Sequence, residues 1–318
     1  MKTIIMPGNL LSPGKPDPEF EGEYEAAKKV ANIFFFNLEE FISGEEILAK
    51  LPHASTEKED IFYHGWMMNA GQYRAFYLAL HDKRYRLTNV PGHHTFCNYF
   101  DSWYPHLEGL TPKSIMIHDS NLWKIVDAAL DFREETKSAL IIKDAVKSLK
   151  HDWYKACFIP EHATGLEMAK IIGTFLEAKL SHNDLKKPVV IRKFEDLVSV
   201  GKHAKSGMPL SHEYRTYVYK GKVLLQVPYW EVDYPEPKLN LDKEKLAHPS
   251  YFGKEPDPKF IQMLIKEIGS KCGSQLYTID TALKTNGWWT CIEIGDGQVS
   301  MLPDRANKDE FFKKLVEG

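Results

Sequence analysis

Asn286-Gly287 stands between two apolar runs, Gln275 to Leu283 and Trp288 to Ile294, and no other feature constrains the fold as tightly. Asn-Gly favours the positive φ angles of a tight turn, and flanking runs of this length predict two paired strands. Asp280 and Glu293 then fall on facing strands. Opposed side chains in such a pair lie roughly 5 Å apart and diagonal ones about 7–8 Å, so both carboxylates can reach one cation. Asp296, between Gly295 and Gly297, can add a third oxygen where the backbone turns sharply. The competing reading is a hairpin with polar residues on a solvent face.

Upstream, strand and helix alternate. Lys2 to Met6 reads as a buried strand, residues 19–30 as a helix, Ile33 to Phe36 and Asp60 to Tyr63 as strands, Ala70 to Asp82 as a helix and Arg84 to Thr88 as a strand. This is the βαβ pattern of an α/β unit with parallel pairing, expected over residues 1–110. Beyond Thr111-Pro112 the character becomes α+β. Leu122 to Thr136 and Glu161 to Ala178 read as helices, Ser138 to Lys143, Trp153 to Ile159 and Pro188 to Phe194 as strands, and Tyr214 to Tyr219 with Lys222 to Val227 as a hairpin. Val227 to Pro237 reads as a loop, Asp257 to Gly269 as a helix before the acidic hairpin, and Asn307 to Val316 as a last helix.

A chain of 318 residues with 43% hydrophobic content can bury a sizeable core. A net charge of -3 leaves no global basic field for nucleic acid. Cys97, Cys157, Cys272 and Cys291 form no CxxC pair, which indicates neither a disulfide framework nor zinc and suits a reducing cytoplasm. No apolar run approaches the ~18 residues needed to span a bilayer. The expectation is a cytoplasmic protein without a membrane partner, and a homodimer is compatible with it.

Three further segments carry chemistry. Lys143 ends the apolar strand that begins at Ala139, with Lys147 and Ser148 just beyond. Such a strand can aim an ammonium at a phosphate; the alternative is an ordinary strand end with solvated lysines, as Lys150 is read. The connector Arg192-Lys193-Phe194-Glu195 can present backbone groups to an adenine edge while Phe194 packs against the ring. Arg192 faces a phosphate or substrate, or pairs with a structural carboxylate. Arg215 and Tyr217, two apart on a strand, share one side, where a guanidinium can clamp a phosphate or carboxylate or make a cross-strand pair. Gly8 to Lys15 lacks the order of a P-loop, and adjacent His93 and His94 without an HExxH helix do not make a metal site. The aromatic cluster Tyr99 to Tyr104 reads as core.

In this order the lysine strand, the connector, the Glu213 to Val218 strand with Lys220 to Val223, Asp280 and the segment Ile292 to Gln298 resemble the ATP-grasp superfamily. Tyr63 to Met68, Thr88 to Pro91 and Trp103 to Pro112 resemble the domain preceding a clade of it marked by arginines and a lysine, common in phages and bacterial conflict systems. The resemblance implies an α/β (α+β) ATP-grasp fold with an N-terminal α/β pre-ATP-grasp domain over 1–110. The ATP-grasp domain would cover 111–318, with a lid at about 138–195 and a core at about 196–318. It implies that Lys143 and Lys147 hold ATP phosphates, that Arg192, Lys193, Phe194 and Glu195 line the adenine site, and that Arg215 with Lys143 serves catalysis. Asp280, Glu293 and Asp296 would bind magnesium. The implied activity is an ATP-dependent carboxylate-amine ligase acting through an acylphosphate, with an amino acid, peptide or protein as acceptor. A kinase-like phosphotransferase and a non-catalytic nucleotide-binding module are the alternatives. Two residues depart from the pattern: Asp296 stands one step beyond the usual asparagine, and His64 replaces an expected arginine that is either a substrate ligand or a structural clamp.

Overall fold

The structure, a computed structural model, describes residues 2–12, 14–44, 47–55, 59–146, 148–181, 185–186, 188–230, 239–241 and 254–318. Its elements begin with β1 (Thr3–Pro7), α1 (Glu21–Ala27), β2 (Asn32–Phe36), α2 (Leu38–Ile42), β3 (Glu59–Tyr63), α3 (Ala70–Asp82) and β4 (Tyr85–Leu87). There follow α4 (Pro91–Asn98), α5 (Phe100–Leu107), β5 (Ser114–Ile117), α6 (Leu122–Thr136), β6 (Leu140–Asp144), α7 (Trp153–Ala156), β7 (Phe158–Ile159), α8 (Gly165–Ser181) and β8 (Val189–Lys193). The remainder comprises β9 (Ser199–His203), β10 (Pro209–Ser211), β11 (Glu213–Tyr219), β12 (Lys222–Pro228), β13 (Leu239–Leu241), α9 (Pro258–Cys272), β14 (Leu276–Leu283), β15 (Trp289–Asp296) and α10 (Lys308–Glu317).

The first sheet runs β2-β1-β3-β4, and all its pairings are parallel, as the βαβ pattern predicts. Both faces are covered, which is why its strands read as continuous apolar runs. Ile5 and Ile61 enter a cluster with Tyr73, Phe76 and Leu80 of α3. Ile4, Met6 and Phe62 enter another with Ala26 and Ala27 of α1 and with Phe311, Phe312 and Leu315 of α10. The last helix thus packs against the first part of the chain.

A second sheet, β5-β8-β6-β7, carries the lysine strand and takes in Ser114–Ile117, upstream of the expected lid. Alternation divides its residues between two environments. Leu140, Ile142, Val189 and Ile191 pack against α6 and α8, while Ile141, Lys143, Val190 and Arg192 share the opposite face. A third sheet, β12-β11-β14-β15, is antiparallel and contains the predicted hairpin, with Gly287 at φ +86° in its turn. Val218, Tyr277, Ile279 and Ile294 pack on α4, α5 and α9. A small sheet has the order β10-β9-β13, and its Val200 and Leu210 cluster with Trp153 and Cys157.

One expected strand is corrected. Trp153 to Ile159 forms the helical turn α7 and only two strand residues, β7. Trp153 and Cys157, four apart, bury together beside Met208 and Leu210, a helical spacing that the run of apolar residues concealed. The aromatic cluster is core, as expected, on the helix α5: Phe100, Trp103 and Tyr104 are buried. Lys147 and the far end of the Val227 to Pro237 loop lie outside the described residues. Among the described residues no helix is long and apolar enough to cross a membrane.

Candidate active site

The acidic residues of the third sheet meet a basic strand of the second across an open cleft of about 900 Å³. Strand register creates one side. Arg215 of β11 pairs with Asp280 of β14, which pairs in turn with Glu293 of β15, so the three side chains form a row across one face. Arg215 Nε and Nη2 donate to the two Asp280 carboxylate oxygens at 2.8 and 2.7 Å, a bidentate pair. Glu293 is reached from the other sheet: Lys143 Nζ donates to its Oε1 at 2.6 Å. Burial would push the Glu293 carboxyl up, but the ammonium groups of Lys143 and Lys150 and the Arg192 guanidinium outweigh it and hold the carboxyl below its usual range.

Asp296 does not join this row. Side chains alternate along a strand, so a residue three positions from Glu293 points to the opposite face. There Asp296 is fully buried and accepts from Asn89 Nδ2 at 2.8 Å and from the Gln298 backbone N–H at 2.9 Å, with His94 Nδ1 2.8 Å from its Oδ2. Asp296 therefore sits on the other face of the sheet from Asp280 and Glu293, not beside them as its spacing predicts. Gly295 occupies the next position on the Glu293 face, opposite Thr278, and a Cβ added to it would come within 2.8 Å of Thr278 Oγ1.

Arg192 is on the cleft wall but is engaged by the protein. Nη1 donates to the Ile292 carbonyl at 2.7 Å, Nη2 donates to Thr111 Oγ1, and the guanidinium lies 5.5 Å from the centre of the Phe100 ring. Its buried Nε has no hydrogen-bond partner among the described residues. Lys193 and Glu195 also line the cleft and pair at 3.5 Å, with Lys284 3.3 Å from the second Glu195 oxygen. Phe194 packs edge-on to Phe158 in an apolar end of the cleft that includes Trp153 and Met208.

Three cleft residues were not selected from the sequence. Lys150, read there as solvated, is exposed and also lines the cleft, with Nζ 5.6 Å from the centre of the Tyr229 ring. Its interactions with Tyr229, then with Glu293, Glu213 and Asp280, hold its pKa above the usual value against burial. Tyr229 receives the Arg215 guanidinium at 4.7 Å from its ring centre, so one aromatic ring contacts two cations. Glu213, two residues from Arg215, is pushed up to about 7 by burial and by the Asp280 charge, against Lys150, Ser211 and Arg215. Its spacing from Arg215 was the available signal; Tyr229, in an apparent loop, offered none.

His64 lies elsewhere. It is buried beside Glu23, whose other oxygen accepts the Leu302 N–H at 2.6 Å, and Phe20 and Phe312 pack edge-on to its ring. It clamps α1 to the strand end after β3 and has no access to the cleft.

A sheet bearing an apolar pocket and cations, set over a second sheet bearing carboxylates, is an ATP-grasp arrangement, and comparison with solved structures agrees. The chain is similar to D-cycloserine synthetase DcsG at 10% identity, with a TM-score of 0.61 and 99% of both chains covered. It is similar to a RimK domain ATP-grasp protein from Sphaerobacter thermophilus (11% identity, TM-score 0.55, all of both chains). It is also similar to the ATP-grasp ligase PsnB complexed with a minimal precursor (14% identity, TM-score 0.56, 99% of this chain and 98% of that one). No curated protein matched the sequence. The model of the ATP-grasp domain, R2K clade family 3, matches residues 132–315, over half of the chain, and the chain belongs to that family.

ATP and magnesium are the cofactors that this membership brings, and the residues present fit them. Among the described residues no group of three or more His, Cys, Asp or Glu is gathered that could hold an ion alone. Two carboxylates are nevertheless what magnesium commonly takes from a protein, with phosphates and water completing its six oxygens. Lys143 and Lys150 supply cations for phosphates, and the wall of Phe194, Trp153 and Met208 suits a flat base.

Proposed function

We propose that this protein is an ATP-dependent carboxylate-amine ligase acting through an acylphosphate. The observation that carries the proposal is the row Arg215-Asp280-Glu293 facing Lys143 across a cleft whose other end is apolar. The base of ATP lies in the apolar end and the phosphates at the charged end. Lys143 and Lys150 hold the phosphate oxygens, and Asp280 and Glu293 hold the metal. Magnesium, when bound, offsets phosphate charge and orients the γ-phosphate for in-line displacement. Arg215, poised beside Asp280, stabilises charge on the transferring phosphoryl group. Lys193, Glu195 and Arg192 shape the wall, and Arg192 fixes β8 against β15.

The reaction logic is activation. An acceptor carboxylate oxygen attacks the γ-phosphorus, the bond to ADP breaks, and the acylphosphate then loses phosphate to an attacking amine with release of a proton. The acceptor is an amino acid, a peptide or a protein. PsnB was solved with precursor peptide PsnA2 and AMPPNP, and the macrocyclase MdnC from Microcystis aeruginosa with its precursor peptide MdnA, which favours a peptide. Purified protein incubated with ATP, magnesium and pooled amino acids or peptides should release ADP and phosphate and give a condensed product. Release of AMP and pyrophosphate, or product heavier by one phosphoryl group, would replace this reading.

A further inference from the structure

The ring of Tyr229 meets two cations that come from different parts of the chain. Strand register supplies the first. Arg215 of β11 stands opposite Val227 of β12, so Tyr229, two residues beyond Val227, falls on the same face and diagonal to Arg215. Its backbone N–H donates to the Glu213 carbonyl at 2.8 Å, which extends the β11–β12 ladder one step past Pro228 and fixes where the side chain starts. Trp230 packs edge-on to the ring, with centres 4.8 Å apart. The second cation arrives on the turn Lys150–Asp152, which leads into α7, where Trp153 clusters with Met208 and Leu210.

Lys150 is held differently from the other lysines of the cleft. Lys143 pairs with Glu293, and Lys193 pairs with Glu195. Lys150 makes no hydrogen bond or ion pair among the described residues, and its ammonium faces the Tyr229 ring. Arg215 gives Nε and Nη2 to Asp280 and lays its guanidinium 4.7 Å from the centre of the same ring. A carboxylate in the place of that ring would also hold both cations, but it would take N–H donors and cancel charge. An aromatic face attracts a cation through its quadrupole, accepts no charge-assisted hydrogen bond and adds no formal charge. The lysine thus keeps its three donors, and both cations keep their charge for an anion.

We propose that Tyr229 is a positioning residue whose ring face sets Lys150 and Arg215 toward the phosphate oxygens of ATP. The role rests on the nucleotide part of the ligase reading and is independent of the acceptor. It belongs to the face of the ring and not to the hydroxyl, since both cations lie over the ring.

Replacing Tyr229 in the full chain by phenylalanine, and then by phenylalanines carrying one, two and three ring fluorines, tests it. Each fluorine weakens the attraction of the face for a cation while the volume of the ring changes little. Calorimetric titration with magnesium and a non-hydrolysable ATP analogue gives the readout. Tyr229→Phe should retain most of the affinity, and the fluorinated series should lose it stepwise, by about tenfold in all, the size of one partly desolvated cation–π contact. Tyr229→Leu should lose at least as much. In Lys150→Ala the same series should lose less, because one of the two contacts is gone. Affinity that stays flat along the series, Tyr229→Phe as weak as Tyr229→Leu, or an undiminished loss in Lys150→Ala overturns the proposal. If wild type binds the analogue and the series is flat, the ligase reading stands without this role. If the series falls as expected and turnover yields AMP or a phosphorylated acceptor, the ligase reading is the one that fails, and a wild type that does not bind the analogue overturns both.

Discussion

Lys143 Nζ and Glu293 Oε1 lie 2.6 Å apart and join two sheets between which no strands pair among the described residues. In the proposed function both partners have another task, the lysine on a phosphate and the glutamate on magnesium. Under that proposal the ion pair holds the two halves of the site together until nucleotide and metal replace it.

Removing the lysine should separate these tasks. Lys143→Ala should lower kcat by on the order of 10²–10³, the loss expected when one fixed electrostatic partner of a transition state is removed. Its affinity for magnesium alone should rise by about tenfold, because Glu293 no longer has a competing cation and tenfold corresponds to about 1.4 kcal/mol. Steady-state rates and titration with magnesium in the absence of nucleotide measure the two effects.

Asp296 should behave as a structural group. Asp296→Asn should lower unfolding free energy by about 1–3 kcal/mol through the hydrogen bonds to His94, Asn89 and Gln298 that it weakens. The magnesium concentration for half-maximal activity should stay at the wild-type value. Denaturant titration and magnesium dependence of ADP release give both numbers; a raised magnesium requirement would return Asp296 to the metal site.

Glu213 predicts a pH dependence of the unliganded protein. Its pKa is pushed up to about 7 on folding, so between the ordinary glutamate range and about pH 7 the folded state binds more protons than the unfolded one. The stability contributed by the protonated carboxyl is complete below the unfolded pKa and is lost as pH rises toward 7, and the contribution is flat above. Relative to wild type, Glu213→Gln should flatten this fall. Chemical denaturation at a series of pH values, taken as the difference between the two proteins, tests the sign.

The apolar end of the cleft should contribute binding shared by ground and transition states. Phe194→Ala should raise KM for ATP by about three- to tenfold with kcat little changed, from the loss of one aromatic contact. A fall in kcat of the same size would place Phe194 at the reacting end instead.

Gly295 should resist conversion to the asparagine usual in the superfamily. The side chain would meet Thr278 Oγ1, and overpacking of this kind costs about 1–3 kcal/mol. Thermal unfolding of Gly295→Asn, together with an unchanged magnesium requirement, is the expected result.

Much of the fold was legible in the sequence because local periodicity and turn chemistry act over a few residues. The Asn286-Gly287 turn, the parallel strands around β1 and the helices α3 and α6 were expected close to where they stand, and the opposition of Asp280 to Glu293 follows from the hairpin alone. Trp153 to Ile159 was misread because a short apolar run carries no period long enough to separate strand from helix.

The sequence by itself determined which carboxylates share a hairpin and that a lysine ends an apolar strand. Only the tertiary structure decided that Lys143 reaches Glu293, that Arg192 is tied to Ile292 and Thr111, and that Lys150 and Tyr229 belong to the same cleft. It also turned Asp296 away, since three steps along a pleated strand reverse the face and the far face is filled by α4. Pairing within a hairpin is a local matter of register. The meeting of two sheets depends on cores spread over the whole chain, and no short stretch of sequence encodes it.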